Sequence, residues 1–551
     1  MKKWLIFLAA AMFVLVAFRP EKLVVTGIVT DQQNTPITGA TVSERSTNNS
    51  VFTDKAGKFS IAVSSSNATL LIAYVGYNAS SVKVKTGGPM HIKLNPSTSK
   101  LEEVVVTGNA SAPDQALASK SYGTEQGILA RPGNRTYEKT LPSQFNTEDY
   151  DAITENRFHK TSENPLSTFS IDVDAASYSN VRRFLVNGQL PPPGAVRTEE
   201  LINYFRYEYP QPKNDLPFSI NTEIGACPWN TKHQLVLIGL QGQKIPTTDL
   251  PASNLVFLID VSGSMQAVNK LALVKSSMKL LVDQLRENDK VSIVVYAGSA
   301  GLVLNPTRGD QKTKIKDAIE RLEAGGSTAG GEGIRLAYNT ARENFVRSGN
   351  NRVILCTDGD FNVGVSSDAS LESLIETERK SGVYLTVLGY GMGNYKDNKM
   401  QKLADKGNGN HAYIDSEKEA KKVLVNEFGG TLFTIAKDVK LQVEFNPVNV
   451  QAYRLIGYEN RMLNQEDFNN EKKDAGELGS GHTVTALYEV IPTGEKNDFE
   501  EKVDPLKYSQ HPTMKQSSAE ILTVKFRYKN PHQETSQLIE QVVMNEKKSA
   551  A

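Results

Sequence analysis

Asp260, Ser262 and Ser264 gather one carboxylate and two hydroxyls on a short segment, and an apolar run, Leu255-Val256-Phe257-Leu258-Ile259, leads directly into it. The run reads as a buried parallel strand, so Asp-x-Ser-x-Ser falls on the tight loop at its carboxyl end. Hard oxygens gathered this closely suit a small hard cation such as Mg²⁺. In an open α/β sheet, ligands bind in the crevice beyond the carboxyl ends of the strands, where this loop lies. Two more segments bring hard oxygens to strand ends. One holds Thr328, inside Gly325-Gly326-Ser327-Thr328-Ala329-Gly330-Gly331; the other holds Asp358, after Val353-Ile354-Leu355-Cys356-Thr357. The glycines beside Thr328 let the backbone turn tightly and approach a neighbour closely. Alone, Asp-x-Ser-x-Ser would serve equally as a polar turn capping the next helix. The donors at 328 and 358 favour the cation, and Asp360 reads as a solvated loop residue.

The elements that must position these residues alternate. Strand patterns at 255–259, 290–296, 352–357, 383–389 and 411–414 are separated by amphipathic helical patterns at 270–285, 314–322, 334–345, 371–380 and 399–406, with a last helix at 416–425. That alternation predicts a doubly wound, mainly parallel α/β domain over 253–428.

The chain has 551 residues, which predicts several domains. Lys plus Arg and Asp plus Glu each total 62. That balance gives no support to nucleic acid or an anionic membrane as a partner. Met1-Lys2-Lys3 followed by the apolar run Trp4 to Phe18 reads as a secretory signal or an uncleaved anchor over 1–20. The run is short for a membrane span, and no Cys adjoins it, which argues against lipid attachment. Export to the periplasm, outer membrane or cell surface follows. The two cysteines, Cys227 and Cys356, give neither a disulfide scaffold nor a Cys-based metal site, and Cys356 reads as a buried thiol.

Residues 21–96 read as all-β: Leu23 to Thr30, Ala40 to Ser43 and the alternating Phe59 to Val63 are strands separated by turns. Residues 97–157 read as a linker rich in Ser, Pro, Asn and Gly. The block 158–252 mixes strands (169–173, 218–224, 234–240) with two short helices (177–187, 198–207). Past 429 the helical pattern stops, and 439–445, 483–490 and 521–528 alternate as strands, with 464–481 read as a surface loop. The strands before 250 and those after 429 lack neighbours of their own. Their pairing would insert the α/β domain into a single β-sandwich, which the closeness of domain termini permits.

Asp-x-Ser-x-Ser, a distant Thr and a distant Asp, in this order on a doubly wound sheet, resemble the metal-ion-dependent adhesion site of the von Willebrand factor type A domain. The resemblance covers 253–428, and all five positions are filled. It implies that Ser262, Ser264 and Thr328 bind the ion directly while Asp260 and Asp358 act largely through water. It also implies an under-neutralised ion with one position open for a partner's carboxylate. Val25-Thr26-Gly27-Ile28-Val29-Thr30-Asp31, Gly39-Ala40-Thr41-Val42, Thr53 to Phe59 and Ala73-Tyr74-Val75-Gly76-Tyr77 resemble the carboxypeptidase regulatory-like β-sandwich of exported envelope proteins. That likeness implies an accessory module without catalytic residues. Leu101 to Gly108 resembles the segment that follows this module in outer-membrane receptors. The blocks 169–178 and 197–205 resemble the front of a wider family of exported type A domain proteins. Its members usually carry another helical segment after the β-rich block, so the tail here reads as shortened.

Other signals are weak. Gly389-Tyr390-Gly391-Met392-Gly393 has the wrong spacing for a dinucleotide loop, and 325–333 lacks the Lys-Ser/Thr pair of a phosphate loop. Asp172-x-Asp174-x-x-Ser177 reads as a strand end with a helix cap rather than a Ca²⁺ site. The seven histidines form no His-Glu-x-x-His. The expected fold is multi-domain: an N-terminal all-β Ig-like sandwich, then the α/β type A domain inserted in a second β-sandwich. The expected function is not enzymatic: a cell-envelope protein binding a protein ligand's acidic side chain through Mg²⁺, with Mn²⁺ or Ca²⁺ as alternative ions. A structural assembly module is the second reading, and a metal-assisted hydrolase, which lacks a general base, the third.

Overall fold

The computed structural model describes residues 23–45, 49–74, 77, 79–85, 88–95, 147–214, 216–246, 248–297, 300–325, 330–359, 368–427, 433–473, 475–496, 518–531 and 533–545. The expected signal segment, most of the expected linker, the segment 101–108, Asp360 and Thr328 lie outside them.

The N-terminal sandwich comprises a three-stranded sheet, in the order Lys58–Val63, Leu23–Thr30, Met90–Lys93, and a four-stranded sheet, Ser50–Phe52, Thr41–Glu44, Thr69–Ala73, Ser80–Lys83. Period-two alternation in Lys58–Val63 turns Phe59, Ile61 and Val63 inward, against Val25, Val29, Val42, Leu70 and Ile72. The module rests on the α/β domain: Tyr74 Oη donates to the Leu302 carbonyl at 2.7 Å, and Phe52 packs on that domain's core.

The α/β sheet runs in the order Ala300–Arg308, Lys290–Tyr296, Ser253–Asp260, Asn350–Thr357, Val383–Tyr390, His411–Ile414. All neighbours are parallel except the first pair, an edge hairpin that the sequence pattern did not suggest. Ser253–Asp260 is central and buried along its whole length. Its alternate side chains feed two cores: Leu255, Phe257 and Ile259 face the helix Leu273–Gln284, while Val256 and Leu258 face Gly330–Glu343. A fully buried Leu, Ile or Phe contributes roughly 1.5–3 kcal/mol, so packing on both faces fixes where this strand ends.

The second sandwich confirms the insertion. Gln234–Gly242 pairs with Thr483–Pro492, and Leu166–Ser170 pairs with Thr434–Phe445. Strands on both sides of the α/β domain in sequence are therefore neighbours in space. Three readings are corrected. The stretch 464–481 is not only a surface loop: it contains the 3-10 turn Gln465–Asn469 and the strand Gly476–Gly479, which pairs with Thr434–Phe445. The end of the expected linker is held rather than free, because Asp149 pairs beside Tyr395 and Asp397, and Glu148 makes an ion pair with Arg183 at 2.7 Å. Asp172 and Asp174 do not cap a helix. The helix Ala176–Val186 has no side-chain cap, and both aspartates face Arg461, at 3.4 and 2.9 Å. Cys227 and Cys356 are free and buried. Among the described residues no helix is long and apolar enough to cross a membrane.

Candidate functional site

Asp260 is the last residue of the central strand, and its side chain is fully buried. The chain turns immediately, because the Ser262 N–H donates to Asp260 Oδ1 at 2.8 Å and the Val261 N–H donates to the Tyr296 carbonyl at 3.0 Å. The short 3-10 turn Gly263–Gln266 then brings Ser264 back, so that its Oγ stands 3.0 Å from Ser262 Oγ. Ser262 is buried, whereas Ser264 is exposed and opens the hollow to solvent.

Asp358 comes to the same hollow from the neighbouring strand Asn350–Thr357. The residue before it, Thr357, donates from Oγ1 to Asp260 Oδ2 at 3.4 Å and accepts the Gly359 N–H at 3.2 Å. Gly359 sits at φ +103°, and a Cβ there would stand 2.5 Å from the Lys396 nitrogen, so only glycine lets the chain leave this strand end. The structure thus brings together four of the five expected residues: Asp260, Ser262, Ser264 and Asp358. The fifth, Thr328, lies outside the described residues. Of the segments flanking it, the Gly325 N–H donates to the Val261 carbonyl at 2.7 Å, and the helix Gly330–Glu343 follows.

Burial pushes the Asp260 carboxyl up to about 7. Hydrogen bonds from Ser262 pull it down, and the nearby charge of Asp358 raises it. A carboxylate that is buried beside a second one takes up a proton where a cation could sit. That behaviour, with two carboxylates and two hydroxyls converging, fits a hard cation. Among the described residues no group of three or more His, Cys, Asp or Glu could hold a metal, so the candidate relies on hydroxyls as well as carboxylates.

Sequence reasoning missed one residue of the hollow. Lys270 Nζ donates to Asp358 Oδ2 at 2.8 Å and to Asn394 Oδ1 at 3.3 Å. The stretch from 270 to 285 reads as one helix, but the regular α-helix begins at Leu273, and Val268–Ala272 is a π-type turn that carries Lys270 inward. The available signal was a lysine flanked by Leu271, Ala272 and Leu273, in a place where a solvent-facing charge would be unexpected.

Family models match four stretches: a CarboxypepD_reg-like domain at 25–106, von Willebrand factor at 144–237, a von Willebrand factor type A domain at 254–427, and "Uncharacterized protein YfbK, C-terminal" at 430–551. The chain is 44% identical over 439 residues to the YfbK protein of Escherichia coli (strain K12), covering 78% of this chain and 73% of that one. It is 30% identical over 170 residues to protein sll0103 of Synechocystis, covering 30% of this chain and 39% of that one. Among solved structures, a von Willebrand factor type A protein from Catenulispora acidiphila aligns at 14% identity and TM-score 0.35, covering 71% of this chain and 74% of that one. On the strength of the 44% identity over most of both chains, the chain belongs to the YfbK family of von Willebrand factor type A domain proteins, here with a CarboxypepD_reg-like domain ahead of the family's own blocks.

Proposed function

We propose that this is an exported cell-envelope protein whose type A domain binds a divalent cation and, through it, an acidic side chain of a protein partner. Ser262, Ser264 and Thr328 would ligate the ion directly, with Asp260 and Asp358 acting largely through water. The observation that carries the reading is the convergence of Asp260, Ser262, Ser264 and Asp358 in one hollow at the carboxyl ends of the two central strands. When bound, the ion would supply a Lewis-acidic docking point, and no bond is broken.

Two features support this reading. Ser262 Oγ and Ser264 Oγ stand 3.0 Å apart. That is the spacing of a hydrogen-bonded hydroxyl pair, and neighbouring oxygens round an octahedral ion at about 2.1 Å share it. In addition, Val268 is 85% and Met392 is 47% exposed on the two loops that meet at Lys270. Exposed apolar side chains beside a charged centre suit a protein partner, whose contact would cover both. The acidic partner, the export and the absence of catalysis are parts of the same proposal.

The test is recovery of envelope proteins on the immobilised chain in Mg²⁺, in EDTA, and with Asp260→Ala in Mg²⁺. Recovery of a partner only by the unaltered chain in Mg²⁺ is expected. Equal recovery in all three overturns the reading.

A further inference from the structure

The hollow contains a cation of its own. Lys270 is 8% exposed and Asp358 is fully buried, so their 2.8 Å contact is made largely out of water. The lysine is held from several sides. Its ammonium also donates to Asn394, and its stem runs under Gly391. Gly391 has φ +72°, and a Cβ there would stand 2.5 Å from Lys270 Cε, so the glycine leaves the space that the lysine stem fills. The Gly391 carbonyl is in turn fixed by the Tyr413 hydroxyl. Two loops and a buried tyrosine therefore deliver one ammonium to one of the two carboxylates.

We propose that Lys270 is a tethered counter-cation that shares Asp358 with the ion and so holds the affinity for a divalent cation low. The inference rests on the reading of the hollow as an ion site. With the ion bound, Asp260 and Asp358 would carry two negative charges, which a divalent ion alone would balance. Lys270 adds a third positive charge, leaving the loaded site with an excess of one. Like charges a few ångströms apart and shielded from water repel strongly, so the ion is held less firmly than the two carboxylates would hold it unaided. The excess is relieved when a partner's carboxylate arrives. On this account Lys270 makes occupancy by the ion depend on the partner. It is a positioning and tuning residue rather than a ligand.

The test is calorimetric titration of the full chain with Mg²⁺ alone, comparing the unaltered protein with Lys270→Met and Lys270→Gln. Met keeps the apolar stem under Gly391 without the charge; Gln keeps a donor for Asp358 without the charge. Thermal unfolding in EDTA identifies which variants are folded, and either one suffices. Removing the charge is expected to tighten Mg²⁺ binding by about tenfold or more, with Lys270→Arg staying close to the unaltered affinity. Unchanged or weaker Mg²⁺ binding in the folded neutral variants overturns the role of Lys270 while leaving the ion site standing. An absence of any Mg²⁺ binding by the unaltered protein overturns the ion-site reading itself.

Discussion

Asp260, the last residue of its strand, and Asp397, the first of the helix Asp397–Lys406, are both buried carboxylates of the same α/β domain, yet their chemistry diverges. Asp397 lies at the junction with the front block, where Arg197 reaches it at 2.5 Å and also grips Glu200. Tyr395 donates to it at 3.1 Å and His411 stands 3.4 Å away. Burial would raise Asp397, but the charge of Arg197, followed by the hydrogen bond and charge of His411, holds it well below the usual carboxylate range. Asp260 is equally buried, and among the described residues its hydrogen-bond partners are hydroxyls and an amide. Burial there prevails and the carboxyl is pushed up to about 7. Burial alone therefore does not set the charge of a carboxyl. Where a fixed cation outweighs burial, as at Asp397, the carboxyl stays charged; where a carboxyl has none, as at Asp260, burial favours its neutral form unless a ligand brings charge with it.

The largest consequence concerns folding. Arg197→Met leaves Asp397 and Glu200 buried without their shared cation, and breaking such a pair costs about 3–5 kcal/mol. Asp260→Asn removes a carboxyl that has no fixed cation and should cost far less in ion-free protein. Urea unfolding of both variants in EDTA makes the comparison, and equal losses would end the distinction between the two carboxylates. The second effect has the opposite sense. Mg²⁺ at a hundred times its Kd should stabilise the unaltered protein by about 2.7 kcal/mol, by mass action on the folded state. In Asp260→Asn the stabilisation should vanish, whereas a variant altered at the Arg197 junction should keep it provided that it folds. Unfolding midpoints across a Mg²⁺ series decide.

A smaller difference is pH-dependent and belongs to the Asp397 side. Burial opposes charge on His411, but the hydrogen bond and charge of Asp397 outweigh it and hold the imidazole above its ordinary value. A folded-state value above the unfolded one means that the folded chain binds the proton more tightly. The contribution is complete below about pH 6.5, the unfolded value, and is lost as pH rises through the folded value. Stability in EDTA should therefore fall as pH rises past neutrality, and His411→Gln should flatten that part of the profile. A slope unchanged in His411→Gln would assign it to another group.

The residues proposed for the ion site were more legible in the sequence than their setting. Asp260, Ser262, Ser264 and Asp358 could be found because strand ends are marked by apolar runs, and carboxylates and hydroxyls just beyond them are conspicuous. The doubly wound order was legible for the same reason. What escaped depended on tertiary contact. Lys270 lies in a segment whose spacing satisfies a helix, but its backbone is non-helical, its stem packs against Gly391 and its ammonium reaches Asp358. Ala300–Arg308 and Gly476–Gly479 are strands by virtue of the edges they pair with, since strand formation depends on neighbours more than on intrinsic preference. The Asp172 and Asp174 pair looked like a cap because Arg461, almost 290 residues later, could not be placed from spacing.

The smallest effect sharpens the contrast from a third place, where the N-terminal sandwich meets the α/β domain. This contact has no ion pair among the described residues comparable to Arg197 with Asp397. One polar contact across it is the Tyr74 hydroxyl on the Leu302 carbonyl, at 2.7 Å, on the edge strand Ala300–Arg308, and Thr41 also bonds Glu332. Tyr74→Phe removes that donor and keeps the ring, so the loss should be one hydrogen bond, about 0.5–1.5 kcal/mol. The edge strand pairs with Lys290–Tyr296, whose last residue registers with Asp260. The Tyr74 contact is thus two strands away from Asp260. Tyr74→Phe should lower the stability of docking, measured by protease cleavage between the sandwich and the α/β domain, without changing the affinity for Mg²⁺. A change in Mg²⁺ affinity would instead mean that the sandwich acts on the hollow through the edge of the sheet, and the separation between structural contacts and the ligand site would have to be redrawn.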